Sequence, residues 1–233
     1  MTKIFVLSSG GLDSTTCLAE AVDFYGADSV EAVSVYYGQK HHKEMSCAEN
    51  VADYYKIPHH IIDLSEIFEK LDNPLMLGSN QRIEKKSYEE QVKEDPRGKV
   101  KTYIPFRNGL FISAIASFAL SRYPEEDIEI WIGVHSDDSA GNAYADTSPM
   151  FIDYIGEAIS EGTYNQVKVY APFVELHKAD IVMDGLNLKV PYELTWSCYN
   201  GGEKACGKCG TCRDRLEAFS KNGAKDPIEY EEE

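Results

Sequence analysis

The chain has 233 residues, enough to bury one sizeable core. Asp and Glu outnumber Lys and Arg by 39 to 23, a formal charge of −16 that disfavours direct contact with nucleic acid or an anionic membrane surface. No apolar run approaches the roughly 18 residues of a membrane span, and Met1-Thr2-Lys3 leads straight into a strand with no signal-peptide pattern, so the expectation is a soluble, cytoplasmic protein.

The first predicted element is a strand, Ile4-Phe5-Val6-Leu7. It turns through Ser8-Ser9-Gly10-Gly11-Leu12-Asp13-Ser14 into a helix that runs to Phe24 with helical apolar spacing. The glycines permit positive φ and close approach of a ligand to the backbone, and the serines and Asp13 are candidate caps for the helix. Free N–H groups at a helix start suit a phosphate or pyrophosphate. A Walker loop would carry a Lys after its glycines and this one does not, which makes it a phosphate loop of another kind.

Val30 to Tyr36 alternates as a strand, His41 to Lys56 reads as a helix, and Pro58 to Leu64 as a third strand. Such alternation predicts a doubly wound parallel α/β sheet with its ligand at the carboxyl ends of the strands. Residues 73–102 interrupt it: they are turn-rich, their charges have no apolar face, and the expectation is a mobile insertion that closes over the site. Asn108 to Tyr123 resumes as an apolar helix, and Ile128 to Val134 follows as a strand expected to be buried on both faces. The polar stretch His135 to Pro149 then falls where such sheets carry substrate contacts. A helix over 151–159, a strand over Val167–Tyr170 and a helix over Lys178–Leu188 complete the pattern. The expected division is an ATP-binding α/β domain over 1–190 and a metal-binding and helical segment over 191–233.

Cys198, Cys206, Cys209 and Cys212 are spaced C-x7-C-x2-C-x2-C, with Gly207 and Gly210 placed for tight turns. Four thiolates match a closed, structural zinc site, and an iron–sulfur cluster is the rival occupant. Zinc is preferred, because the chain carries no other redox feature. A helix over Arg213–Lys221 follows the ligands. Cys17 and Cys47 fall in helical patterns as buried thiols.

The loop resembles the SGGxDS loop of the PP-loop ATP pyrophosphatases, which implies ATP, with Mg²⁺, and transfer of AMP to a substrate. Further stretches narrow the resemblance: Tyr37-Gly38-Gln39-Lys40-His41, Tyr103-Ile104-Pro105-Phe106-Arg107-Asn108, Lys178-Ala179-Asp180, and Glu193 to Tyr199 followed by Cys206 to Arg213. Together they are similar to the QueC family of 7-cyano-7-deazaguanine synthases, in family order from residue 4 to about 230. The resemblance implies a ligase that adenylates 7-carboxy-7-deazaguanine, admits ammonia to form an amide, and dehydrates the amide to a nitrile for queuosine synthesis. It implies ATP on Ser8, Ser9, Gly10, Gly11, Leu12, Asp13 and Ser14, and catalytic roles for Lys178 and Arg107. It further implies substrate contacts from Tyr37, Gln39, His41, Asn108, His135 and Asp138, a four-cysteine zinc site, and a homodimer.

The chain departs from the family pattern at Phe106, where a glycine is usual, and after the fourth strand. Asp138, Ser139, Tyr144, Asp146 and Pro149 keep the pattern there, whereas the Cys-, Arg- and Glu-like positions are lost. Phe106, His135 and Met150 are therefore expected at the substrate pocket. These departures leave open a related ligase that stops at an amide or couples the acid to another amine, including one on a protein. A domain that has lost catalysis and serves as a zinc-stabilised partner is a third reading, opposed by the intact loop.

Overall fold

A computed structural model describes residues 2–40, 42–83, 88–139, 144–200 and 202–231, with the side chains of residues 42, 88, 89, 138 and 139 outside the description. Strands β1 (Thr2–Leu7), β2 (Val30–Tyr36), β3 (His59–Asp63), β4 (Asp127–Ile132) and β5 (Val167–Tyr170) form one sheet in the order β3-β2-β1-β4-β5. All four pairings are parallel, with Leu7 opposite Val33 on one side and Ile132 on the other. The helices are α1 (Leu12–Tyr25), α2 (His42–Tyr55), α3 (Ser65–Phe68), α4 (Tyr88–Glu94), α5 (Arg107–Arg122), α6 (Ser136–Ser139), α7 (Pro149–Gly162), α8 (Lys178–Asn187) and α9 (Gly210–Lys221). Every regular element predicted from alternation is present, with ends shifted by at most a few residues.

The two-residue period of β1 decides which layer each side chain enters. Ile4 and Val6 point into a core shared with Leu18 and Ala21 of α1, Ile181 of α8 and Phe219 of α9. Phe5 points the other way, to Ile112 and Ile115 of α5 and Ile152 of α7. Each such side chain, once fully buried, contributes roughly 1.5–3 kcal/mol. Strand β4 differs from expectation: Ile128, Ile130 and Ile132 are buried, but Glu129 and Trp131 on its other face are only half-buried. Tyr25 and Trp131 both donate hydrogen bonds to Glu129, which gives that carboxylate its partners at the side of the core.

The order of strands reverses between β1 and β4, so a crevice opens beyond their carboxyl ends. Two close backbone approaches shape it. A Cβ on Gly10, whose φ is +75°, would meet the Glu44 carbonyl at 2.1 Å, so α2 can lie directly on the loop only because residue 10 is glycine. A Cβ on Gly133 would meet the Asp13 carbonyl at 2.8 Å, which lets the end of β4 touch the same loop.

The described parts of the segment, residues 73–83 and 88–102, are not the face-less excursion expected, and residues 84–87 lie outside the description. Leu75, Met76 and Val100 are buried, and Asn73 Nδ2 donates to the carbonyls of Lys101 and Tyr103, tying the two ends of the segment together. Gln39 pairs with Met76 in an isolated antiparallel bridge, joining the segment to the turn after β2. The apolar anchors are too far apart in sequence to register as a period.

The segment from Pro191 is built into the same core. Trp196 N–H donates to the Gly10 carbonyl at 2.9 Å, and the Tyr192 hydroxyl is 2.8 Å from Thr16 Oγ1 on α1. Arg215 of α9 is fully buried, with Asp226 Oδ2 at 2.7 Å from Nε and Asp226 Oδ1 at 2.9 Å from Nη2. Its remaining donors reach Thr195 Oγ1, Ser197 Oγ and the Tyr192 carbonyl. That network fixes the strand of chain entering Cys198.

Candidate active site

The loop between β1 and α1 holds itself in shape. Ser14 Oγ accepts the Ser9 N–H at 3.1 Å, lies 3.0 Å from Ser9 Oγ and donates to the Gly11 carbonyl. No side chain caps α1, contrary to the expectation for the serines and Asp13. The hydroxyls bond within the loop instead, which leaves the helix start with its positive dipole end uncovered. Among the described residues, Ser8 Oγ and Asp13 Oδ1 are buried without a hydrogen-bond partner, an arrangement that suits a polar ligand at the loop.

Asp13 is bound from the side rather than turned outward. Lys178 Nζ, at the first residue of α8, donates to Asp13 Oδ2 at 3.0 Å, and His135 Nε2 lies 3.7 Å from the same oxygen. Burial pushes the carboxyl up, but Lys178 and His135 outweigh it and hold Asp13 well below the usual carboxylate range. Asp137 ties α8 down in turn, accepting from the Lys178 N–H at 2.9 Å and facing His177 Nδ1 at 2.8 Å.

A cavity of about 240 Å³ opens above the loop. Ser8, Ser9, Gly11, Leu12, Asp13, Ser14 and Lys178 form one wall, and Tyr37, Gln39, Arg107, Asn108 and Phe111 another. Thus most of the predicted site residues come together from four separate stretches of chain. The Arg107 guanidinium stands 5.6 Å from the Tyr37 ring and 5.9 Å from the Phe111 ring, a cation over aromatic faces. Burial opposes its charge, yet Tyr37 and Asp146 favour it and keep Arg107 protonated. Gln39 Oε1 accepts the Tyr37 N–H at 2.8 Å and so shapes the turn after β2. Asn108 is anchored from both ends by Asp146, whose Oδ2 accepts its N–H and whose carbonyl accepts its Nδ2.

Four predicted residues are placed differently. Gly10 lies beneath α2 and is not part of the cavity wall. His135 is buried behind the loop against Asp13 and also does not line the cavity. Phe106 adopts φ +53° and is 54 % exposed. Its ring turns away to cover Gly109 and meet Phe151 edge-on at 5.8 Å, because a Cβ at residue 109 would stand 2.5 Å from it. Met150 is 65 % exposed on α7. The expectation that these three side chains shape the pocket is therefore not met. His41 and the Asp138 side chain lie outside the described residues.

Sequence reasoning missed Glu44 and Thr102, which line the cavity together with Tyr144, one of the positions that keep the family pattern. The Thr102 and Tyr144 hydroxyls are 2.6 Å apart and close its far side. A signal for Glu44 was available: Glu44, Cys47, Ala48 and Val51 follow the i, i+3, i+4, i+7 spacing, so a carboxylate sits on the apolar stripe of α2.

The predicted cysteine ligands converge beside this cavity. The sulfurs of Cys198, Cys206, Cys209 and Cys212 all lie within 4.8 Å of one another, and all four residues are buried. Backbone N–H groups of Asn200 and Cys206 point at Cys198 Sγ, and those of Lys208 and Cys209 at Cys206 Sγ, at 3.4–3.5 Å. Hydrogen bonds from Cys198 and Cys212 hold Cys209 well below the usual thiol range. Four converging sulfurs with N–H groups aimed at them can hold a metal ion. Trp196 and Cys47 pack over the cluster, and Thr211 Oγ1 donates to the Ser197 carbonyl to tie α9 to it.

A parallel sheet with a glycine–serine loop at the carboxyl end of its central strand, faced by a lysine and an arginine, defines an α/β protein of the PP-loop class. The family model described as "Queuosine biosynthesis protein QueC" matches residues 3–223, and the chain belongs to that family. A 7-cyano-7-deazaguanine synthase of Caldicellulosiruptor saccharolyticus is 41 % identical over 98 % of this chain and 96 % of its own length. One from Archaeoglobus fulgidus is 39 % identical over 99 % and 91 %. Among solved structures, the U34-tRNA thiolase NcsA from Methanococcus maripaludis covers 94 % of this chain and 67 % of its own, with a TM-score of 0.49 at 17 % identity.

Proposed function

We propose that this chain is an ATP-dependent carbon–nitrogen ligase that converts 7-carboxy-7-deazaguanine and ammonia to 7-cyano-7-deazaguanine. The observation that carries the reading is the family match over residues 3–223 in a chain that keeps the phosphate loop and both facing cations. A carboxylate is a poor electrophile, and AMP supplies the leaving group it lacks. The acid's oxygen attacks the α-phosphorus of ATP and pyrophosphate departs. Ammonia then displaces AMP to give the amide, whose oxygen is activated by a second ATP and leaves with AMP as the nitrile forms.

In this scheme Ser8, Ser9, Gly11 and Ser14 bind the phosphates, with Mg²⁺ accompanying ATP. Lys178 and Arg107 offset the charge that develops on the phosphates and the leaving group. The rings of Tyr37 and Phe111 offer flat apolar surface to a purine-like base. Zinc fits the cysteines, since a tetrahedron with Zn–S bonds of about 2.3 Å has edges of about 3.8 Å, whereas a four-iron cluster holds its sulfurs further apart. With four thiolates it has no open position and stabilises the chain beneath the cavity. A homodimer remains the expected assembly, to be read by light scattering.

The test is mass spectrometry of the purified protein with the acid, ATP, Mg²⁺ and ammonium. A nitrile is expected. An amide, or a mass adduct on protein, would replace this reading with that of a ligase that stops earlier. No AMP release with any deazaguanine acid would overturn both.

A further inference from the structure

Among the described residues three carboxylates line the cavity: Asp13, Glu44 and Asp214. Asp13 is held ionised by Lys178, and Asp214, on α9 next to the cysteine cluster, has bonding partners of its own. Glu44 differs from both. Among the described residues no hydrogen bond or ion pair occupies its carboxyl, and its backbone is fixed against the phosphate loop where α2 crosses Gly10. The groups facing it are the Arg107 guanidinium from α5 and the Tyr37 phenol after β2, with Cys47 on the next turn of α2 itself.

We propose that Glu44 is the proton acceptor of this cavity, taking a proton from the nitrogen nucleophile as it attacks the activated acid. The inference rests on the ligase reading above. The nitrogen lone pair forms the C–N bond, and the C–O bond to AMP breaks with its electron pair leaving on AMP. One proton of the nitrogen passes to the Glu44 carboxylate, which later releases it to solvent.

The acid–base properties of the site agree with that role. Burial pushes Glu44 up to about 7, with Arg107 opposing the rise, so the group exchanges a proton near neutral pH, as a general base must. Arg107 also favours the ionised form and so keeps an accepting carboxylate available. Asp13 cannot serve, because its pairing with Lys178 leaves it too weak a base.

The experiment compares Glu44→Gln and Glu44→Asp with the unaltered protein in two assays: pyrophosphate exchange with the acid and ATP alone, and amide formation after ammonium is added. In Glu44→Gln the ratio of amide formation to exchange is expected to fall about 10²–10⁴-fold, with partial recovery in Glu44→Asp. With the concentration of free ammonia held constant across the titration, the rise of amide formation through pH about 7 in the unaltered protein should flatten in Glu44→Gln. A ratio in Glu44→Gln within threefold of the unaltered protein, or an unchanged pH profile, overturns the role of Glu44 while leaving the ligase reading intact. Absence of exchange in the unaltered protein overturns the ligase reading itself, and this inference with it.

Discussion

Lys178 Nζ and Asp13 Oδ2 are 3.0 Å apart across 165 residues of sequence, joining the start of α8 to the loop that begins α1. The pair holds the loop's carboxylate in place while presenting a cation to the cavity. Its effect on stability has a definite sign with pH. Asp13 titrates below its ordinary 3.8 in the folded chain, so its contribution is present above that pH and is lost as pH falls towards the depressed value. Lys178→Met removes the stronger of the two opposing charges. It is expected to cost about 1.5–3 kcal/mol at neutral pH, to shift acid unfolding to higher pH, and to abolish AMP formation. Urea unfolding at pH 7 and an acid titration followed by circular dichroism measure the first two; an unmoved acid midpoint would count against the pairing.

Gly11 lines the cavity, and its φ of −84° is open to any residue. An added Cβ meets only Ser9 Oγ at 3.2 Å and the Trp196 carbonyl at 3.5 Å, so Gly11→Val is expected to fold. Its isopropyl group would fill the space a phosphate needs. ATP affinity should weaken by at least about tenfold, or 1.4 kcal/mol, with the circular dichroism spectrum unchanged. Native affinity in a folded variant would remove the loop from the ATP site.

The cysteine cluster makes a separable prediction. Structural zinc contributes about 10–16 kcal/mol of apparent binding energy in small sites, so Cys209→Ser should lose the metal and loosen the chain around α9. Elemental analysis of the unaltered protein should return about one zinc per chain. Iron with acid-labile sulfide would decide for a cluster instead.

Arg215 and Asp226 test how strongly the C-terminal segment depends on one buried ion pair. Arg215→Met strands the Asp226 carboxylate, which among the described residues retains the Tyr230 hydroxyl and the Ile228 N–H. The expected loss is about 3–5 kcal/mol, and a double Arg215→Met, Asp226→Leu variant should recover much of it. Chemical denaturation of the three proteins reads the difference; a double variant as unstable as the single would show that the segment needs the pair's geometry as well as its charge balance.

The alternation of apolar periods was enough to determine the parallel sheet, the placing of its helices and the crevice beyond β1 and β4, because a strand period of two and a helix period near 3.6 are local properties of the chain. The loop from Ser8 to Ser14 and the spacing of Cys198, Cys206, Cys209 and Cys212 were legible for the same reason, each set being close in sequence. Tyr37, Gln39, Arg107, Asn108 and Lys178 were placed at the cavity by resemblance, but the rest of its lining beyond that loop was not legible. Met150 is exposed on α7, Phe106 turns its ring onto Gly109 and Phe151, and His135 is used up behind Asp13, which Lys178 holds from the other side of the sequence. Glu44 enters the site only because α2 rests on Gly10, and Arg215 is tolerable inside only because Asp226 and the Thr195 hydroxyl meet it there. The free energy of burying a charge depends on partners brought from distant sequence, and only the tertiary structure supplies them.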